Sequence, residues 1–299
     1  NPSSFGSDYD AVVANIDAAV DQWASRIIQT GSNSASIDIE VNGLDLPGGL
    51  ASATTLSNVW GGGYFNGMFN VTNGLLNEIT TGNDENGSSD DAQININTTW
   101  PDFWFDSTPD DRNDNAPPWN KIDFIGTIIH EVTHALGFLG YYTYSPPPTG
   151  SAGLENEAST VLDFDRFIEW DSSQDSFVFT GTNATAAYHQ LGFTGNLPLH
   201  SEGNSASDLY HYGNVDGNDD PLNLYLMDNR SDWGVLRTIS SLDTAILKDL
   251  GYRINESEKL AESIVEVEQQ DISIVEHSPG AVVAVLETVD ADINDPHVY

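Results

Sequence analysis

Residues Asp123 to Gly140 read "DFIGTIIHEVTHALGFLG". Apolar side chains run nearly all the way round Ile122 to Leu136, which predicts a buried helix, ended by Gly137 in a left-handed conformation. On such a helix residues four apart lie about 40° from each other around the axis, so His130 and His134 project from one face and can share a metal ion. Glu131 lies about 60° to 100° away. It is too far round to join them, but it can reach a water beside that metal, as a general base must. Two unpaired imidazoles and a carboxylate are costly inside a buried helix, and that cost argues for a site over core packing. Two histidines and a glutamate in this spacing suggest zinc, which would bring the pKa of water down to about 7. Glu131 would take that proton and pass it to a departing amine, which amounts to peptide hydrolysis. A zinc site of this kind needs three protein ligands and an open position, so one ligand has to come from elsewhere in the chain.

Upstream, "SDYDAVVANIDAAVDQWASRIIQT" places Val12, Ile16, Ala19, Trp23 and Ile27 at helical spacing, with Ser7 or Asp8 as N-cap. "SIDIEVNGL" and "AQININTTW" alternate apolar and polar residues as half-buried strands do. Between them the Gly/Asn-rich "WGGGYFNGMFNVTNG" predicts turns and short strands. Downstream, Tyr141 to about Asn223 is loop-rich, with "STVLDFDRFIEWD" and "DSFVFTG" as short ordered pieces. "SSLDTAILKDLGY" then predicts a closing helix that starts at Ser241 and ends at Gly251.

The 299 residues suffice for one large domain with an appendage. Against 9 Lys+Arg stand 46 Asp+Glu, a formal net charge of -37 that repels nucleic acid and anionic membrane surfaces. Such acidity serves solubility in saline or calcium binding. "TGNDENGSSDD", "DSTPDDRNDN" and "VDGNDDP" gather carboxylates and amides in loops, although none completes a calcium-loop pattern. Cysteine is absent, so zinc here would be held by His and carboxylate alone. No apolar run approaches the roughly 20 residues of a membrane span, and the chain opens "NPSSFGSDYD" without Met or leader. It reads as a trimmed, soluble product, expected to be a monomer, and the absence of cysteine does not settle its compartment.

The run "HEVTHALGF" resembles the metzincin metalloproteases, whose motif continues through a turning Gly to a third ligand three residues on. That position is Gly140, which has no side chain. The leishmanolysin-like branch shares "HALGF" and supplies its third histidine after a long insertion. "SDLYHYGNVDGNDDPLNLYLMDN" resembles the stretch that carries this histidine and, further on, the methionine of a tight turn. "FDRFIEWD" and "SSLDTAILKDLGY" resemble the segments bracketing that region in bacterial relatives. The resemblance thus points to His211 as third zinc ligand and Met227 as turn methionine, with His200 and His189 as alternative ligands. It implies an α+β metzincin-type fold: a twisted mixed sheet over the zinc-binding helix, with a loop-rich C-terminal subdomain. The implied protease domain spans residues 1–253, divided into 1–140 and 141–253. Residues 254–270 read as a linker. Residues 271–299 resemble the opening of a bacterial cadherin-like repeat, with Asp290, Asp292 and Asp295 as candidate calcium ligands.

The expected function is a secreted zinc endopeptidase acting on protein or peptide substrates. Two other readings use the same residues: a calcium-dependent adhesin with a vestigial zinc site, and a metal-dependent hydrolase of something other than a peptide. The intact Glu131 argues against the adhesin, because a vestigial site has no reason to retain a base.

Overall fold

A long amphipathic helix, α1 (Tyr9–Arg26), opens the fold, and it buries Val12, Ala19 and Trp23 as the helical spacing predicts. The computed structural model describes residues 5–31, 36–46, 49–100, 102–112, 116–145, 153–155, 159–200, 209–213, 221–231 and 233–255. After α1 come β1 (Ile27–Ile28), β2 (Ile39–Leu44), β3 (Ala51–Thr55), β4 (Asn58–Phe65), β5 (Met68–Asn73), α2 (Gly74–Thr81) and β6 (Ala92–Asn97). Next are β7 (Phe103–Trp104), β8 (Ile122–Asp123), α3 (Phe124–Ala135), β9 (Thr143–Ser145), β10 (Gly153–Glu155) and β11 (Thr160–Val161). The last elements are β12 (Ile168–Asp171), β13 (Ser176–Phe179), α4 (Thr182–Gln190), β14 (Leu197–Pro198), α5 (Ser241–Leu250) and β15 (Arg253–Ile254).

The protein is therefore mixed α+β. Among the described residues its strands fall into several two- and three-stranded sheets instead of one continuous sheet. The sheet that matters for the site is β2–β6–β3, with β2 parallel and β3 antiparallel to the central β6. It packs against α3 through β6 and the edge strand β3, while α1 covers another side of α3. Trp23 of α1 donates its indole N–H to Thr133 Oγ1 on α3 at 2.9 Å, which satisfies two polar groups inside an apolar contact. In the β4–β5 hairpin the turn residues Asn66 and Gly67 both have positive φ, 48° and 84°, as a two-residue Asn-Gly turn requires.

The two halves expected at residues 1–140 and 141–253 are interlaced. Strand β11 joins the β4–β5 hairpin, and β15 pairs with β1. The described residues up to Ile254 belong to one compact unit. The expected linker beyond Asn255 and the cadherin-like segment with Asp290, Asp292 and Asp295 lie outside the described residues. Among the described residues no helix is long and apolar enough to cross a membrane.

Candidate metal centre

Helix α3 is apolar on nearly every side, and Ile125, Ile128, Ile129, Val132 and Ala135 are all buried. The helix therefore cannot roll, and His130 and His134 face one direction one turn apart. Each ring is fixed at its second nitrogen. His130 Nδ1 donates to the Leu226 carbonyl at 2.7 Å, and His134 Nδ1 donates to the Phe138 carbonyl at 2.6 Å. A carbonyl oxygen only accepts, so Nδ1 carries the hydrogen in both rings and each Nε2 keeps a lone pair. The bond to Phe138 depends on the chain reversing after α3, where Gly137 takes φ 130°, a conformation that L side chains rarely adopt.

His211 brings a third ring to this face. Its Nε2 lies 3.2 Å from His130 Nε2 and 3.1 Å from His134 Nε2, and those two are 3.1 Å apart. Three nitrogens so close, at least two of them bare lone pairs, repel one another unless a cation sits among them. Nitrogen ligands about 2.0 to 2.1 Å from a tetrahedral ion lie roughly 3.3 Å apart, so the triangle fits one. Burial pushes both α3 histidines down in pKa, His134 to about 4, which keeps them in the neutral form that ligation needs. The His130, His134 and His211 group can hold a metal ion, and among the described residues no other set of three or more His, Cys, Asp or Glu side chains is so placed.

Glu131 is buried at the edge of the triangle and lines the same cleft as the three histidines. Burial alone pushes its carboxyl up to about 8. A dication opposite would pull it back towards the ionised form. The cleft has a volume of about 640 Å³. Besides the histidines and Glu131 it is lined by Gly49 to Ala53, at the start of edge strand β3, by Tyr210 and Asp228 to Ser231, and by Trp100 and Trp233.

The alternative third ligands are engaged elsewhere. His189, at the exposed end of α4, bonds the Gly195 carbonyl through Nε2 at 2.7 Å. His200 is buried, its ring meets the Asn229 amide at 3.0 Å, and its backbone N–H donates to the His211 carbonyl at 2.9 Å. Gly140 is closed to any ligand for a steric reason as well as a chemical one, since a Cβ built there would fall inside the Asp165 carboxylate. Met227 is fully buried in a turn whose preceding residue, Leu226, supplies the carbonyl that orients His130.

Several residues that shape the site carry no local signature. Arg237 fans its guanidinium onto the carbonyls of Asn223 and Tyr225, at 3.0 and 3.1 Å, and so braces the turn that holds Met227. Its own N–H donates to Asp123 at the start of α3, where Arg112 also pairs. Asp165 accepts from the N–H groups of Tyr141 and Leu162, each at 2.9 Å. The one local sign near His211 is that it stands between two aromatic residues, Tyr210 and Tyr212, both of which are buried in the fold.

Of the acidic loops, the described parts are engaged with their own chain: Asp84 accepts the N–H groups of Asn86 and Gly87, and Asp106 that of Thr108. Residues 215–220 of "VDGNDDP" lie outside the described residues. The sequence matches no protein-family model, and no curated protein matches it.

Proposed function

We propose that this protein is a secreted zinc-dependent endopeptidase of metzincin architecture, of the leishmanolysin-like branch. The observation that carries the reading is the convergence of three histidine Nε2 atoms beside a buried glutamate in a cleft bordered by an edge strand. His130, His134 and His211 would hold the ion. Bound zinc supplies Lewis acidity at the scissile carbonyl and makes water acidic enough to ionise near neutral pH. Glu131, which lines the same cleft, would accept that proton and deliver it to the leaving amine. Strand β3 is hydrogen-bonded to β6 on one side, and its residues Ala51 to Ala53 border the cleft. Their small side chains leave room for an extended peptide to add itself as a further strand, held by main-chain hydrogen bonds. Such binding suits a protein substrate better than a small ester or sugar, and this favours peptide hydrolysis over other metal-dependent hydrolysis.

The test combines metal analysis of the purified chain with casein digestion in the presence and absence of a chelator. One zinc per chain, and digestion that stops with chelator and returns with zinc, is the expected result. Zinc binding without digestion of any protein substrate would leave a metal centre and remove the protease. A chain that takes up no zinc at all would remove both.

A further inference from the structure

The helix fixes His130 and His134, but His211 comes from a distant segment and its ring needs another source of rigidity. The residues on either side of it are both tyrosines, and both are buried, Tyr210 at 4% and Tyr212 at 1% exposure. Their hydroxyls go to separate buried carboxylates. Tyr210 OH donates to Asp165 Oδ1 at 2.9 Å, and Tyr212 OH donates to Asp243 Oδ1 at 2.7 Å. These carboxylates belong to rigid and unrelated parts of the fold. Asp165 accepts the N–H of Tyr141, just past α3, and Asp243 completes the capping box with Ser240 that starts α5. Tyr212 also meets the Met227 turn twice, through Tyr212 N–H to the Met227 carbonyl and Met227 N–H to the Tyr212 hydroxyl, both at 3.1 Å.

We propose that Tyr210 and Tyr212, anchored by Asp165 and Asp243, are positioning residues that clamp His211 from both sides and fix its imidazole for the metal. The proposal rests on reading the histidine triangle as a metal centre. A buried tyrosine needs a partner for its hydroxyl in any protein, so the bonds alone would prove little. The choice of partner carries the argument. Burying two carboxylates is expensive, and phenylalanines facing apolar residues would fill the same space without that cost. The charged acceptors give short, directional bonds that phenylalanine cannot make, and they tie the two neighbours of one residue to two different parts of the fold.

The experiment uses the full chain, stripped of metal, and measures zinc affinity against a competing chelator and the visible absorption spectrum after cobalt loading. Tyr210→Phe and Tyr212→Phe are compared with the wild type and with Tyr252→Phe, a buried tyrosine whose hydroxyl has no hydrogen-bond partner. Each clamp variant is expected to lose about 10- to 100-fold in zinc affinity and to shift the cobalt bands, whereas Tyr252→Phe does neither. Metal-free melting curves separate this from a purely structural effect. Wild-type affinity and spectrum in both clamp variants, whatever their melting temperatures, would overturn the clamp and leave the metal centre standing. A wild type that binds neither ion would overturn both. The two variants are separate tests, so loss of fold in one leaves the other to decide.

Discussion

Gly140 has no side chain, and the space a Cβ would take there is filled by the Asp165 carboxylate. Gly140→Ala therefore forces the carboxylate off Tyr141, Tyr142 and Leu162, whose N–H groups it accepts. The expected cost is about 1 to 3 kcal/mol, read from denaturant midpoints; an unchanged midpoint would mean that Asp165 moves aside freely. At Glu131 the expectation concerns chemistry and leaves stability aside. Glu131→Gln keeps size and hydrogen bonding but cannot take a proton, so zinc should still bind while casein hydrolysis falls by two orders of magnitude or more, roughly the worth of a general base. Hydrolysis surviving in that variant would remove Glu131 from the mechanism. These residues differ in how far the sequence discloses them. His130, Glu131 and His134 are set by the geometry of one helix, so their spacing is enough. His211 lies 77 residues beyond His134, and local spacing carries no information about a contact made by tertiary folding. Only a resemblance singled it out from His189 and His200.

Among the elements, α1 and α5 are legible because their helical periods are long and their ends carry signals: Asp8 before α1, and the Ser240 capping box and Gly251 around α5. The eight-residue α2 is not. It follows directly on a Gly/Asn-rich hairpin in which one more Asn does not stand out as a cap, and the second bond of Asn73 is tertiary, so no local pattern reveals it. Asn73 Oδ1 caps α2 by accepting the Leu76 N–H at 3.2 Å, while its Nδ2 donates to the Ala135 carbonyl at the end of α3, 3.0 Å away. One side chain thus satisfies the start of one helix and the end of the helix that carries the histidines. Asn73→Ala leaves both groups buried and unpaired, so a loss of about 2 to 4 kcal/mol is expected from cap and carbonyl together. The same variant should loosen the turn after α3 that supplies the Phe138 carbonyl to His134, and zinc affinity should fall with stability. A stability loss below about 0.5 kcal/mol would assign both bonds to solvent-competent positions. Short pairings such as β7 with β8 and β1 with β15 are equally invisible in sequence, because two residues give no period to read.

At the scale of the whole molecule, two independent effects give stability the same dependence on pH. The net charge of -37 makes the folded state repel itself, and acid relieves that repulsion by protonating carboxylates. Inside the fold, burial raises Asp163 and Asp165 and lifts Asp243 from its ordinary 3.8 to about 6. Between those two values the folded chain binds more protons at Asp243 than the unfolded chain does, so stability must fall as pH rises. The contribution is fully present below pH 3.8 and lost as pH climbs through about 6. Salt separates the two effects, because it screens exposed charges and leaves buried ones nearly untouched. Melting temperature of the metal-free protein should rise with sodium chloride at pH 8. On acidification to pH 5 relief of surface repulsion raises it further, by less in high salt than in low; the residue that salt does not abolish is the sum of Asp243 and Glu131, which favour the folded state in acid, and of the buried His130 and His134, which oppose it. Asp243→Asn, which cannot ionise, should shrink that residue although it weakens the bonds to Ser240 and Tyr212. If Asp243→Asn leaves the high-salt profile between pH 5 and 8 unchanged, Asp243 stays ionised through its hydrogen bonds and contributes nothing to it. Adding calcium at pH 8 and matched ionic strength extends the same experiment: stabilisation beyond that of sodium would require specific sites. Those sites would have to be sought first in the acidic segments at residues 215–220 and 290–295, since Asp84 and Asp106 already serve their own loops.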